Sequence, residues 1–427
     1  MLAPIGAIAV FVAIFAIATL RRVHLGILMF PAACATGVGL AAMPLRDVVG
    51  GFPINILVLI AGVTYFFGIA QINGTTDRVI AALLKRTGAR PATLPVAFFV
   101  LAAIAAAMGS PQAGLATAPL GMPVARRAGV DSVLMAIAIN SGISAGSFAP
   151  TSLFGIVTYR IARQAGIDLN PFTLLAVAVV ANLALLMLAL AMFGRNRIVT
   201  RAVDDGTIGA GSAAAARTTA ADSPFRSHQI ATIACMVGLI GSILAFAVMG
   251  VEPDIGVIAL GLGGVLVLLE PSLGPPALLK IDWSTAFVVG GIVTFVGVLQ
   301  KLGAVDLLGR GALSLGTPLL AALVVCMIAA LVSAFASTTG VLAALVPLAV
   351  PLALSGRVAG WALITALGVC ATIVDASPFS NTGATLIASA AEEDRPRLRS
   401  WLTRWGMAMV VAGPIVLLPL LVLLSRL

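Results

Sequence analysis

Charge is scarce in this chain. Asp, Glu, Lys and Arg make up 10% of its 427 residues, against roughly 25% in soluble domains, which is too few polar groups to cover a water-facing surface. Lysine is scarcer still: Lys85, Lys280 and Lys301 are the only ones and none follows a glycine, so there is no Walker-type phosphate loop and ATP does not drive this protein. The two histidines, His24 and His228, lie at the ends of apolar runs. A nucleophile-elbow string, Gly142-Ile143-Ser144-Ala145-Gly146, therefore lacks a base, and it lacks the strand-turn-helix setting as well. The four cysteines, Cys34, Cys235, Cys326 and Cys370, sit inside apolar runs without CxxC spacing. They read as small buried hydrophobes, not as disulfides or metal ligands.

What is abundant is apolar. A 60% share of hydrophobic residues and a mean hydropathy of +1.13 place the chain in a bilayer. The net charge of +9 is then a matter of membrane topology and not of nucleic-acid binding. Crossing about 30 Å of hydrocarbon takes roughly 20 residues, which predicts spans over 2–20, 25–43, 54–72, 133–163, 172–193, 230–249, 255–269, 283–299, 358–391 and 407–424. The first has no cleavage-type flank and is expected to be a helix, not a signal peptide. Two more stretches, 94–125 and 319–354, are too long for one helix and too short for two crossings with a loop. Each is interrupted by small polar residues, Gly109-Ser110-Pro111-Gln112 and Ser337-Thr338-Thr339-Gly340, and is expected to be a re-entrant hairpin.

In this layout 18 of the 25 Lys and Arg residues fall on one face. That face is cytoplasmic by the positive-inside rule, with both termini outside and 196–227 a cytoplasmic linker. Sixteen carboxylates sort to one face or the other except Asp375, which lies within a span. An aspartyl intramembrane protease would need a second carboxylate there. Sliding the chain by 229 residues sets Gly62, Phe66, Gly68, Gln71, Gly74 and Asp77 on Gly291, Phe295, Gly297, Gln300, Gly303 and Asp306. An offset of 231 sets Phe148 and Thr151 on Phe379 and Thr382. The expected fold is an all-α polytopic membrane protein of about ten transmembrane helices plus two hairpins, in repeats 1–195 and 228–427. Each unit has five crossings, so the second copy is inverted.

Non-helical backbone survives inside hydrocarbon only where it is buried in protein or lines a wet cavity. Four such breaks are expected: the two hairpin tips, and the mid-span strings 146–152 and 375–383. Half-helix N-termini attract an anion, while unwound carbonyls with Ser, Thr and Asn oxygens suit a small hard cation. The pattern favours an anionic solute coupled to a cation, and inverted repeats suit alternating access better than a channel.

Pattern and residues together resemble the ion transporter superfamily of the divalent anion:sodium symporters and the arsenite and citrate carriers, and most of all its MatC-type bacterial dicarboxylate carriers. In the symporters a Ser-Asn-Thr triplet marks each hairpin tip. Here the tips read Ser110-Pro111-Gln112 and Ser337-Thr338-Thr339, and a Ser380-Asn381-Thr382 triplet stands in the second broken span. The resemblance implies a cation-coupled carrier of malonate or C4-dicarboxylates in the bacterial inner membrane, and a homodimer; another oxyanion, arsenite or a channel are the alternatives. The expected substrate ligands are Ser110, Gln112, Thr151, Ser152, Thr338, Thr339, Ser380, Asn381 and Thr382. A coupling cation, with sodium expected and a proton on Asp375 the alternative, would sit at Ser110 with Gly146 and at Ser337 with Asp375. No cofactor is expected.

Overall fold

The computed structural model describes residues 2–21, 23–76, 78–79, 93–109, 111–194, 226–249, 254–304, 307, 317–335, 338–354 and 358–425. Among them every regular element is helical. The first half runs α1 (Leu2–Arg21), α2 (Leu25–Gly39), α3 (Leu45–Gly50), α4 (Ile54–Ile72), α5 (Leu94–Ala107), α6 (Pro111–Leu115), α7 (Ala118–Arg127), α8 (Ser132–Gly146), α9 (Leu153–Gln164) and α10 (Pro171–Phe193). The second runs α11 (Ser227–Val248), α12 (Ile255–Leu269), α13 (Gly274–Leu278), α14 (Trp283–Lys301), α15 (Pro318–Ser333), α16 (Thr338–Leu354), α17 (Gly360–Ile373), α18 (Asn381–Ser389) and α19 (Arg395–Leu424). A single 3-10 turn, Val374–Ala376, separates α17 from α18's loop. The expected linker 196–227 lies almost wholly outside the described residues, as do Asp77 and Asp306 of the repeat frame.

The few acids do local work at helix starts, where backbone N–H groups have no partner within the helix. Asp131 accepts from Val133 N at 2.8 Å, Asp254 from Gly256 N at 3.0 Å and Asp282 from Thr285 N at 2.9 Å. Asn170 caps α10 in the same way ahead of Pro171, which suits a first helical position because its missing N–H would be unpaired there.

Five helical runs among the described residues are long and apolar enough to cross a bilayer, including Pro171–Phe193 and Trp283–Lys301. Other apolar helices are shorter, and at 1.5 Å per residue 14-residue α5 and 15-residue α8 reach only part-way across the hydrocarbon. Val180, Leu268 and Val416 stand 66%, 83% and 65% exposed, an apolar outer surface that a bilayer covers and water would not tolerate. The chain is a multi-pass membrane protein. At its centre lies α8, buried at every residue, its polar Ser132, Asn140, Ser141 and Ser144 included.

Two helix pairs cross at backbone contact. A Cβ at Gly62 on α4 would lie 2.2 Å from Gly256 O on α12, and one at Gly291 on α14 would lie 2.9 Å from Gly26 O on α2. Gly62 is the offset partner of Gly291, and Gly26 precedes Gly256 by 230, so the two contacts are related by exchange of the halves.

The last helix departs from expectation. It begins at Arg395, twelve residues before the span expected from Met407. Arg395, Arg397, Arg399 and Arg404 depress the hydropathy there, yet Leu398, Leu402 and Trp405 form a buried stripe at helical spacing that carries the helix through.

Candidate functional site

Three of the four expected breaks are described at their turns and are built by different local means; Ala336 and Ser337 of the second hairpin tip lie outside the described residues. At the first hairpin tip Gly109 adopts φ +104°, and a Cβ there would meet Phe67 Cδ2 at 2.8 Å, so only glycine suits the turn between α5 and α6. In the break after α8, Ser147 donates to Ile143 O at 2.6 Å, Thr151 to Ala107 O at 2.6 Å and Ser152 to Ala106 O at 2.8 Å. The last two bonds lash the first break to the end of α5, while the first stays within the last turn of α8. In the second break Ser380 Oγ accepts from Gly383 N at 3.0 Å and shares its single proton between Asp375 O and Ser377 O, so one hydroxyl both caps α18 and holds the preceding turn. Measured by their caps, Ser152 and Ser380, the two half-helix starts stand 228 residues apart, not the 231 inferred from Phe148 and Phe379. The two breaks differ in length, which a phenylalanine match cannot register.

These segments enclose a cleft. From the first half it is lined by Pro111, Leu115, Asn140, Ile143, Ser144 and Phe154; from the second by Thr338, Thr339, Asp375, Ser380, Asn381 and Thr382. The cleft gives the centres of water-sized molecules about 90 Å³, several times the ~10–15 Å³ that one buried water needs on that measure. The wall from the first half is mostly apolar and the wall from the second mostly polar. Asp375 is the one ionisable group lining it among the described residues, and no Lys, Arg or His does.

Asp375 is 8% exposed. The hydroxyl of Thr338 lies 2.7 Å from both of its carboxylate oxygens, and Ser333 Oγ lies 3.0 Å behind that of Thr338. With Asp375 ionised, the single proton of Thr338 points to the carboxylate, so Ser333 must donate to Thr338. This chain of hydroxyls ties the second hairpin to the second broken span. Thr338 and Asn381 also open α16 and α18, so two helix starts, with their partly positive N–H groups, end on the cleft.

Of the expected substrate ligands, Thr338, Thr339, Ser380, Asn381 and Thr382 line the cleft together with Asp375. Thr151 and Ser152 instead brace the break, as above, and are not among the lining residues. Gly146 O accepts from Ala149 N at 3.0 Å, and a Cβ on Gly146 would sit 1.9 Å from Ala103 O; its place is against α5. Ser110 and Ser337 lie outside the described residues, as does the side chain of Gln112. Asn140 and Ser144 were not expected. Both are polar residues in an apolar run with four-residue spacing, a signal present in the sequence but easily read as helix packing. Arg126 and Arg397, expected only as topology markers, are paired with Glu393 and with Asp131, the latter at 2.6 Å. The four cysteines are free.

Two family models match the chain in separate parts. The N-terminus of the dicarboxylate carrier protein MatC matches residues 1–147, and the citrate transporter family matches residues 244–427. No curated protein matches it. By these descriptions both families are membrane carriers of dicarboxylate or citrate-type anions. The chain is thus similar to the MatC-type dicarboxylate carriers in its first half and to the citrate transporters in its second, which supports a carrier of the transporter superfamily.

Proposed function

We propose that the chain is a secondary carrier of the bacterial inner membrane that moves malonate or C4-dicarboxylates by cation-coupled alternating access, with sodium as the coupling ion. The observation that carries the reading is the cleft: both halves line it, hydroxyl and amide groups and two helix starts face it, and the one ionisable group lining it among the described residues is Asp375. A dianion brought beside that carboxylate when ionised, with no basic side chain lining the cleft among the described residues, requires a cation to offset the repulsion. The duplicated, inverted organisation is supported by the exchange-related contacts of Gly62 with Gly256 and of Gly291 with Gly26. A homodimer, with the hairpins and broken spans moving against α1, α2 and their second-half equivalents, completes the proposal.

Uptake into proteoliposomes decides it. Labelled malonate, succinate and malate are expected to accumulate under an inward sodium gradient at fixed pH, with saturation. Accumulation that follows only a pH gradient replaces sodium by a proton, and uptake of arsenite or another oxyanion to the exclusion of all three acids overturns the substrate class. Replacing Thr339 or Asn381 with Ala is expected to weaken binding by about 1–3 kcal/mol, the loss of a hydrogen bond to a charged group.

A further inference from the structure

Most polar groups on the cleft are already engaged within the protein. Thr338 serves Asp375, Ser380 serves the turn and the α18 cap, and Ser144 donates to Thr372 O at 3.2 Å. The side chains of Thr339, Asn381 and Thr382 make no hydrogen bond within the described structure, and all three come from the second half. On the first-half wall the remaining described lining residues are Pro111, Leu115, Ile143, Phe154 and Asn140. Asn140 is 2% exposed, and its side-chain oxygen is buried with no hydrogen-bond partner. A buried amide without a partner is costly, and an amide can present either its oxygen or its NH2 by a half-turn of its last torsion. The neighbouring Ser144, one helical turn on, has its hydroxyl directed at Thr372. Asn140 is thus the polar side chain with free hydrogen-bonding capacity that the first half contributes to the cleft, among the described side chains.

We infer that Asn140 is the specificity-determining residue for the second carboxylate of the cargo: one carboxylate is held by Thr339 at the start of α16 with Asn381 and Thr382 at the start of α18, and the other by the amide of Asn140. A linear dicarboxylate then bridges the two halves, whereas a monocarboxylate engages only the second. The inference rests on the dicarboxylate reading above and goes further by assigning one end of the substrate to each half.

Asn140→Leu tests it, since leucine keeps the approximate shape and removes the amide. Binding of labelled succinate to the purified full-length protein is measured together with its displacement by malonate and by the monocarboxylates acetate and butyrate, and with thermal stability in the same detergent. We expect roughly a tenfold to hundredfold loss of succinate and malonate affinity, as for one hydrogen bond to a charged group. Monocarboxylate affinity should be unchanged, and thermal stability unchanged or raised because an unpartnered buried polar group has gone. Unchanged dicarboxylate affinity, or equal losses for mono- and dicarboxylates, overturns the assignment. If the leucine variant does not fold, Asn140→Ala is read by the same criteria. A wild-type protein that binds neither succinate nor malonate overturns the dicarboxylate reading itself, and this inference with it; wild-type binding that survives in the variant overturns this inference alone.

Discussion

Asp375 accepts its hydrogen bond from Thr338 at a point equidistant from both carboxylate oxygens. One hydroxyl therefore holds the charge, and losing it leaves a buried carboxylate without that donor. Thr338→Val, which keeps the shape, is expected to destabilise the protein by about 1–3 kcal/mol, read as a lower unfolding temperature, while Thr338→Ser restores it. Asp375→Asn keeps an oxygen but removes the charge. It is expected to insert and fold yet to show a weakened cation dependence of uptake; an unaltered cation dependence in a destabilised protein would leave Asp375 a structural carboxylate.

The elements around the cleft are held at backbone distance. A Cβ on Gly146 would stand 1.9 Å from Ala103 O, and one on Gly142 2.2 Å from Phe99 O. Helix α8 is buried on all sides and cannot slide away to make room. Gly146→Ala is therefore expected to cost about 1–3 kcal/mol, the penalty of overpacking a dense interior, and to reduce transport by displacing the break that follows it. The two exchange-related crossings allow a graded comparison. Gly62→Ala would press on the carbonyl of Gly256 at 2.2 Å, whereas Gly291→Ala would approach that of Gly26 only to 2.9 Å, so thermal unfolding should place the Gly62 variant below the Gly291 variant.

At the scale of the whole molecule, the described residues include two ion pairs that join the halves. Arg126 meets Glu393 and Arg397 meets Asp131, with signs reversed between the pairs. The first is exposed and contributes little. The second is different, because the side chain of Asp131 is 0% exposed. Arg397→Met should cost about 1–3 kcal/mol, less than for a fully buried pair because Arg397 is 42% exposed, and Asp131→Asn in the same protein should recover part of that loss. The two half-helices also differ. Leu153 to Tyr159 of α9 are all buried, while Asn381, Ala384 and Ala388 of α18 are exposed. With α18 leading to the basic Arg395–Arg404 segment, which the positive-inside rule assigns to the cytoplasmic face, a cysteine at Ala384 in a cysteine-free background is expected to react with an impermeant thiol reagent applied from the cytoplasmic side. A cysteine at Ile156 should resist the reagent from either side.

Composition was enough to place this chain in a bilayer, because burying so few charges and exposing so many apolar side chains leaves no other solvent for it. Helix limits were equally legible where apolar runs end at strong signals: Ile54–Ile72 and Ile255–Leu269 fall where the hydropathy puts them. The charge-rich start of α19 was not, since its buried stripe of Leu398, Leu402 and Trp405 acquires meaning only against the helices that cover it. The polar strings at 337–340 and 375–383 announced breaks, and the described parts of both face one cleft. Which hydroxyls face that cleft was decided by tertiary contacts alone. Thr151 and Ser152 look like ligands in the sequence, yet the carbonyls of Ala107 and Ala106, 44 and 46 residues away, claim their protons. Asn140 looks like an ordinary polar residue in a packed helix, and only its buried side-chain oxygen without a hydrogen-bond partner marks it out. Local pattern records which groups can form hydrogen bonds; the packing of distant segments determines which of them are left free to bind.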